Sequence, residues 1–486
     1  MSDDVDRGTI LALAAMALGV FLIANDFTAL SVALPNIESE FDADVSTVQW
    51  VINGYALVFG VFIVTGGRLA DMFGRRRLFF VGVGIFAGFS AVAAIAPTLP
   101  VLLGARALMG VGGAIMWPAV LGMTFAALPE RKAGLAGGLV LGVAGLGNAF
   151  GPLLGGFLTD ALSWRWVFVI NLPVAAVAAF VTWRHIHQPF ERDPAARVDG
   201  AGVATLSVGL VALLLALDEV TDEGWTDPLI VALLSVFVVS MAAFVAIERR
   251  MGANALVPRD VMRNPDFTFA CVAVLFTAAT FFASLLYLPQ FFQKLLGYSP
   301  LDAGLALLPL MSTFALVSFV AGTLYERLGA KPILSTGVSM MFLGILLLSF
   351  VGVDAGYGAT VPGMLILGTG FGLFISTITT AAVTSLAAAR ASLGGAILYM
   401  FQVAGGSVGL ALTTTIFIRE AQDRLGSDVV AVERDEQLTG AVRDAFVEGM
   451  NVAFRVDAAL ALAGVAVTVL FVGGRLRLRR ARVAAG

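Results

Sequence analysis

Long apolar runs recur along almost the whole chain, from Thr9 to Gly473, with only short polar connectors between most of them. A hydrocarbon core about 30 Å thick takes roughly 20 apolar residues per helix, so each run reads as a membrane span. The spacing predicts fourteen spans, over 9–35, 46–66, 77–96, 99–125, 133–158, 164–184, 200–218, 228–248, 267–292, 300–325, 332–352, 358–386, 390–418 and 447–473. The expected fold class is an all-α polytopic membrane protein, and its function must be sought inside the bilayer.

Composition excludes a soluble fold, because charged residues make up 13% of the chain against about 25% in soluble domains. The first residues, MSDDVDRGT, carry three aspartates and one arginine, whereas a secretory signal starts with a positive region. The first run is therefore expected to persist as a span. One cysteine, Cys271, allows no intramolecular disulfide. No G-x-x-x-x-G-K-[ST] pattern supports ATP binding. "GGSVG" (405–409) matches a hydrolase pattern that needs a strand–turn–helix setting, and it falls inside a predicted span. His185 and His187 stand two apart, off any shared helix face and without Cys or carboxylate partners at ligand spacing. Neither an enzyme, a cofactor, a metal site nor a nucleic-acid partner is expected.

An even number of spans puts both termini on one side. With both in the cytoplasm, 22 of the 30 lysines and arginines fall inside, among them Arg192, Arg197 and the tail arginines from Arg475 to Arg482. Seven fall outside, including Arg165, Lys294 and Arg434, and Arg106 lies within a span. The outer connectors are acidic, as in "ESEFDAD" (38–44) and "DEVTDEGWTD" (218–227). Positive-inside bias thus predicts a plasma-membrane protein with cytoplasmic termini. The acidic N-terminal stub opposes this, so later loops are expected to orient the first span. Residues 419–446 form the one long outer connector and are expected to be a solvated helix or loop without chemistry.

A shift of 255 residues lays "GGRLADMFGRRR" (66–77) over "AGTLYERLGAKP" (321–332). Gly67, Leu69, Asp71, Gly74 and Arg76 fall on Gly322, Leu324, Glu326, Gly329 and Lys331. Such duplication is the usual architecture of secondary transporters. Each copy lies between the second and third spans of a six-span set, which predicts one bundle over 9–184 and another over 267–473. Residues 185–248 hold a linker and an inserted pair, spans 7 and 8, and 474–486 form a basic cytoplasmic tail. In each copy a glycine permits a tight turn. The acid can pair with a base four or five residues on or face the N-terminus of a neighbouring helix, and the bases meet anionic headgroups. Gly67, Arg68, Asp71, Gly74, Arg75 and Arg76, with Glu326, Gly329 and Lys331, are therefore candidates for a gating loop.

Asp26 and Arg106 are the deepest charges, and a charge within a span costs about 2.5–3.5 kcal/mol, so both read as functional. Counted from the outer ends of spans 1 and 4, at 1.5 Å per residue, Asp26 lies roughly 13 Å deep and Arg106 roughly 10 Å. A shared depth predicts a mutual ion pair. Burial favours the neutral acid and a nearby guanidinium the anion, so changing their separation could load and unload a proton. A permanent pair that merely holds two helices together is the alternative. Asp457, Asp218, Glu219 and Asp302 lie nearer the interface and are expected to be solvated, with Asp302 the next to test.

Span 5 carries Gly138, Gly142, Gly147, Gly151 and Gly155, the last three on one face, together with Pro152. This predicts a close, hinge-like helix contact. Asn53, Tyr55, Trp117, Asn148, Tyr287, Gln290, Tyr399 and Gln402 are polar or amphipathic residues within spans, hence candidates for a substrate cavity. With one deep acid, that cavity suits a lipophilic neutral or monocationic compound.

These residues carry a resemblance. "GGRLADMFGRRRLFF" (66–80) is similar to the loop motif of the major facilitator superfamily. The chain resembles that family's fourteen-span drug:proton antiporter branch, the EmrB/QacA-like multidrug exporters. "NDFTALSVALPNI" (25–37), "GARALMGVGGAIMWPA" (104–119), "GVAGLGNAFGPLLGG" (142–156) and "YLPQFFQKLLGYSPLDAGLALLP" (287–309) extend the resemblance over nearly the full length. It implies two six-helix bundles that rock around a central cavity, and proton-for-drug exchange; the glycine pattern of span 5 marks antiporters in that family. The chain departs from the pattern at Asn25, where an apolar residue is usual, and in the single base of the second loop copy. The expected partners are a small lipophilic substrate, protons and the bilayer, with a monomer expected and no periplasmic partner indicated. Export of an endogenous lipid, peptide or pigment, or a non-transporting sensor of the same shape, remain the alternatives.

Overall fold

The computed structural model of the chain describes residues 7–43, 45–186, 199–252, 255–425, 438 and 440–472. His187, Arg192, Arg197, Arg434, the acidic stub before Arg7, residues 426–437 and 439 of the 419–446 connector and the tail from 473 lie outside the described residues.

Among the described residues, fourteen helices are long and apolar enough to cross a membrane. They are α1 (Gly8–Ala29), α2 (Thr47–Phe73), α3 (Arg75–Ala94), α4 (Leu99–Ala127), α5 (Ala133–Ala161), α6 (Trp166–His185), α7 (Gly200–Val220) and α8 (Pro228–Met251). The remaining six are α9 (Pro265–Lys294), α10 (Leu308–Leu328), α11 (Ala330–Leu348), α12 (Tyr357–Thr384), α13 (Ala388–Leu425) and α14 (Gly440–Phe471).

Local chemistry sets several starts. Asp199 accepts from the Gly202 amide at 2.8 Å at the head of α7, and Asp227 from Leu229 at 2.7 Å before Pro228. Asn264 accepts from Phe267 at 3.2 Å before Pro265. Each satisfies an N–H that the first turn leaves open, while the proline needs none.

Three expected ends move. The first span stops at Ala29, and a short helix, Leu34–Phe41, follows a turn. The expected tenth span divides into Pro300–Ala306 and α10. There Ser299 caps the first piece, accepting from the Asp302 amide at 3.1 Å and donating to its carboxylate at 2.7 Å, so Asp302 is a capping residue. α13 and α14 both run into the 419–446 connector, which shifts the depth of every residue on α14.

The first six helices pack chiefly on one another, with α2 and α3 on α4 and with α1 on α5 and α6. α9 to α14 do the same, through α11 on α12 and α14 and α9 on α13. The two groups meet where α5 lies along α10 and α2 along α13. α7 joins them by touching both α2 and α13, and α8 leans on α7. Only 6% of the apolar window of α8 is buried, against 67% for α5 and α12. α8 thus offers its apolar surface to lipid, and α5 and α12 form the protein interior.

Candidate functional site

Asp26 on α1 and Arg106 on α4 are buried at 1% and 0% exposure, and one guanidinium nitrogen of Arg106 bonds the Asp26 carboxylate. Shared depth thus translates into contact. The Arg106 Nε donates to the Val51 carbonyl of α2 at 2.7 Å, and its guanidinium lies 4.4 Å from the centre of the Tyr55 ring. The other carboxylate oxygen accepts from Asn171 Nδ2 of α6 at 3.2 Å. Asn171 also donates to Ser90 of α3 at 3.1 Å, and the Ser90 hydroxyl donates to the Phe168 carbonyl at 2.9 Å. Six helices of the first group therefore include five that converge on one buried charge pair. Asn171 and Ser90 were not among the sequence candidates. A lone amide in the apolar run "VFVINLPVAAV" is the signal that could have found Asn171.

At the end of the bundle that carries Gly74 and Gly329, here the basic end, both glycines hold positive φ, 97° and 79°. Such φ values favour glycine and allow α2–α3 and α10–α11 to turn without a longer loop. Asp71 accepts from Arg75 at 3.1 and 3.2 Å and from the Leu393 backbone N–H of α13 at 2.9 Å. Arg75 also reaches the Gly122 carbonyl of α4 at 3.0 Å and the Ala388 carbonyl of α13 at 2.6 Å. The second copy does the same in reverse, with Glu326 of α10 accepting from the Leu135 N–H of α5 at 3.4 Å. Each acid thus faces a helix N-terminus in the opposite group. Gly67 lets α2 approach α13 closely, since a Cβ there would lie 2.9 Å from the Ser392 carbonyl. Arg76 donates to the Trp183 carbonyl at 3.1 Å. Arg68 is buried within electrostatic reach of Asp71, Glu248, Asp260 and Arg390, and Lys331 is half-buried at the start of α11.

The glycine face of α5 has two partners. Toward the basic end Gly138 and Gly142 meet Ser318 and Phe319 of α10. Gly147, Gly151 and Gly155 meet α1, where a Cβ at Gly147 would lie 2.8 Å from Ala24, one at Gly151 2.9 Å from the Ala29 amide, and one at Gly155 2.8 Å from the Ala29 carbonyl carbon. The Thr28 hydroxyl donates to the Asn148 carbonyl at 3.1 Å across this contact. Pro152, inside α5, stands 3.0 Å from a Cβ built at Gly304.

α2 and α13 touch at the basic end and at Phe59–Tyr399, ring centres 5.5 Å apart. Beyond Tyr399 lies a cavity of about 370 Å³, walled by Trp50 and Asn53 of α2, Asp218 of α7, Phe282 of α9 and Ser407 and Thr414 of α13. Asn53 donates to Asp218 at 3.3 Å, which puts Asp218 on the cavity wall instead of in a solvated loop. Trp117, Tyr399 and Gln402 line a small crevice at the level of the α2–α13 contact. Other expected cavity residues lie elsewhere. Tyr55 and Tyr287 are buried at 0% and 1%, because one ring covers Arg106 and the other packs against Phe417 and Phe454. Asn148 and Gln290 are half-buried on the walls of neither space.

Asp457 corrects a further expectation. Because α14 begins at Gly440, this residue stands near the middle of the helix and is fully buried, not solvated at an outer end. At the acidic end, outside the spans, Glu40 accepts from Arg165 at 2.6 Å and from Trp164 at 2.7 Å. The Arg165 guanidinium holds its carboxyl below the usual range, against a smaller opposing effect of burial.

Residues 16–410 match the sequence profile of the Major Facilitator Superfamily. Multidrug resistance protein Stp of Mycobacterium tuberculosis (strain CDC 1551 / Oshkosh) is 33% identical over 85% of this chain and 76% of its own length. The tetracenomycin C resistance and export protein of Streptomyces glaucescens is 30% identical over 94% of this chain and 90% of its own. Puromycin resistance protein pur8 of Streptomyces alboniger is 33% identical over 84% and 81%. Among solved structures, the human organic anion transporter MFSD10 (TETRAN) superposes with a TM-score of 0.65 over 95% of this chain and 100% of that one, at 13% identity, a likeness of fold alone. With the fold, the duplicated loop and relatives that are transporters rather than enzymes all in agreement, this chain belongs to the Major Facilitator Superfamily.

Proposed function

We propose that the chain is a proton-coupled exporter of lipophilic neutral or cationic compounds in the cell membrane, working by alternating access with both termini in the cytoplasm. The observation that carries this reading is the buried Asp26–Arg106 pair, closed off beside the glycine face of α5. Protonating Asp26 removes the counter-charge of Arg106. A buried charge left without its partner costs about 3–5 kcal/mol, so the protonated state favours an arrangement in which the guanidinium reaches water. α1 then shifts against α4 and α5, and the two groups of helices rock. One proton moving inward releases about 2.3 kcal/mol per 100 mV, enough to hold roughly a 50-fold gradient of a neutral compound.

The closed contacts at the basic end and the cavity beyond Tyr399 fit an outward-open state, with the basic end cytoplasmic. Packing of the first six and of the last six helices chiefly on one another supports a division into 9–184, the pair within 185–248 and 267–473, with α7 as a wall of the cavity. Apolar walls with one carboxylate, Asp218, suit amphiphiles that are neutral or singly positive. The named relatives, resistance and export proteins, support an exported toxic compound over a retained one.

The test is substrate-triggered proton flux in proteoliposomes with the parent and Asp26→Asn. Coupled flux is expected to vanish in the variant while detergent-solubilised protein keeps its parental melting temperature. Undiminished coupling would remove Asp26 from the mechanism.

A further inference from the structure

We propose that Asp457 is a second proton-binding site, in the C-terminal group of helices, reached from the cavity through Thr414 and Tyr287. This inference rests on the proton-coupled reading above and extends it to a carboxyl for which the Asp26–Arg106 pair has no use.

Asp457 is fully buried near the middle of α14, and neither carboxylate oxygen has a hydrogen-bond partner among the described residues. Among the described residues it forms no ion pair. α14 packs against α9, α11 and α13. α11 carries one charge, Lys331 at its start, and α13 none between Arg390 and Arg419. α9 carries Asp266 and Lys294 at its two ends, with Cys271 and Tyr287 as its other titratable groups, and α13 adds Tyr399. On α14 itself Arg443 donates to the Val353 carbonyl at 2.8 Å and lies 3.9 Å from Asp354, and Arg455 pairs with Glu448 at 3.5 Å. Asp444, the remaining charge on that helix, is exposed a turn from its start.

The buried hydroxyls of α9 and α13 are also committed elsewhere. Thr277, Thr280, Ser284 and Thr413 donate to the carbonyls of Ala273, Thr277, Phe281 and Leu410 on their own helices. An isolated carboxylate in such surroundings neutralises instead of staying charged. A fully buried acid that has no structural partner, yet is held in the middle of a span, reads as functional, and carrying a proton is the role that a neutral carboxyl fits.

Access comes from α9. Phe454, one turn before Asp457 and on the same face of α14, packs its ring edge-on against Tyr287, centres 5.8 Å apart. Tyr287 and Asp457 lie within electrostatic reach of each other. The Tyr287 hydroxyl bonds the Thr414 hydroxyl at 3.2 Å, and Thr414 stands on the cavity wall. A proton entering from cavity water thus passes to Thr414 and on to the phenol, and reaches the Asp457 carboxylate when the rocking of α14 against α9 brings the two together, each hydroxyl giving one proton as it accepts another. Asp457 keeps the proton through the rocking step and yields it when the opposite side opens.

The experiment uses the full chain. Infrared difference spectra of the parent against Asp457→Asn at neutral pH are expected to show a protonated carboxylic acid band that the variant lacks. In proteoliposomes the steady-state substrate ratio held by a fixed pH difference is expected to fall about tenfold per pH unit in Asp457→Asn, the loss of one proton from the cycle. Tyr287→Phe keeps the carboxyl and the ring packing, and is expected to slow proton uptake without changing that ratio. A missing band, an unchanged ratio, or a ratio that follows sodium instead of pH would overturn the proposal. Absence of proton flux in the parent overturns the coupled-export reading itself, whereas parental flux with an unaltered ratio in Asp457→Asn overturns only the second site.

Discussion

Replacing Asp71 by alanine removes a carboxylate that ties α2 to the first turn of α13. Of its bonds, those to Arg75 stay within the first group of helices, and the 2.9 Å bond to the Leu393 N–H crosses between groups. A hydrogen bond to a charged group contributes about 1.5–3 kcal/mol. Asp71 is nearly inaccessible, its side chain 2% exposed, so solvent screens little of this. Taking about 2 kcal/mol as the contribution to the closed basic end, the open population rises roughly 30-fold. The sequence copy of this acid, Glu326, is exposed and its bond to Leu135 is 3.4 Å long, so Glu326→Ala is expected to shift the same equilibrium by at most about twofold.

A cysteine at position 393 reads the difference. Leu393 is fully buried in the closed end, and the native Cys271 is buried too, which keeps background labelling low. Where opening is fast relative to labelling, the maleimide rate follows the open fraction. Leu393→Cys combined with Asp71→Ala is expected to label about 30 times faster than Leu393→Cys alone. Equal rates, or an equal acceleration by Glu326→Ala, would refute the view that the first loop copy holds the gate and the second only borders it.

Three further outcomes follow from the same geometry. Gly151→Ala places a methyl group against the Thr28 hydroxyl and 2.9 Å from the Ala29 amide, and is expected to cost about 1–3 kcal/mol of packing and to halt turnover; normal export by this variant would remove the α1–α5 contact from the cycle. Asp218→Asn is expected to weaken export of cationic compounds while sparing neutral ones, judged by the ratio of their transport rates in the same vesicles, and equal losses would count against a charge-reading wall. Glu40→Gln tests the acidic-end pair. Because Arg165 lowers the folded Glu40 pKa, its contribution is present above the ordinary carboxylate range and lost as pH falls through the folded value, so parent and variant should converge in melting temperature at low pH. The difference at neutral pH is expected to stay under about 1 kcal/mol, since both side chains are partly exposed.

Two of the deep charges were legible because an apolar chain makes any buried charge conspicuous. Asp26 and Arg106 stand out of their runs, and counting residues along helices of fixed rise puts them at one level. The duplicated loop was legible for a different reason, since two glycines and two acids recur at a constant spacing; the structure then gave those glycines positive φ and aimed those acids at helix N-termini. Asn171 was not legible, because an uncharged amide in an apolar run carries no hydropathy penalty large enough to mark it. Tyr55 and Tyr287 misled, because an aromatic ring satisfies lipid, core or cavity equally well and only its neighbours decide which. Asp457 was misplaced because hydropathy begins α14 where the apolar run begins, whereas the helix continues through the polar residues before it.

By itself, then, the sequence determined what lipid enforces locally: the fourteen helices, the duplication and the level of the Asp26–Arg106 pair. Backbone hydrogen bonding without water admits few other solutions. Only the tertiary structure decided which helix face meets which. It put the glycines of α5 against both α10 and α1, made α7 a wall of the cavity, and buried Asp457 with no hydrogen-bond partner among the described residues. Inside a bilayer, apolar faces gain little by choosing one neighbour over another, so pairings rest on close packing and scarce polar contacts between residues far apart in the chain.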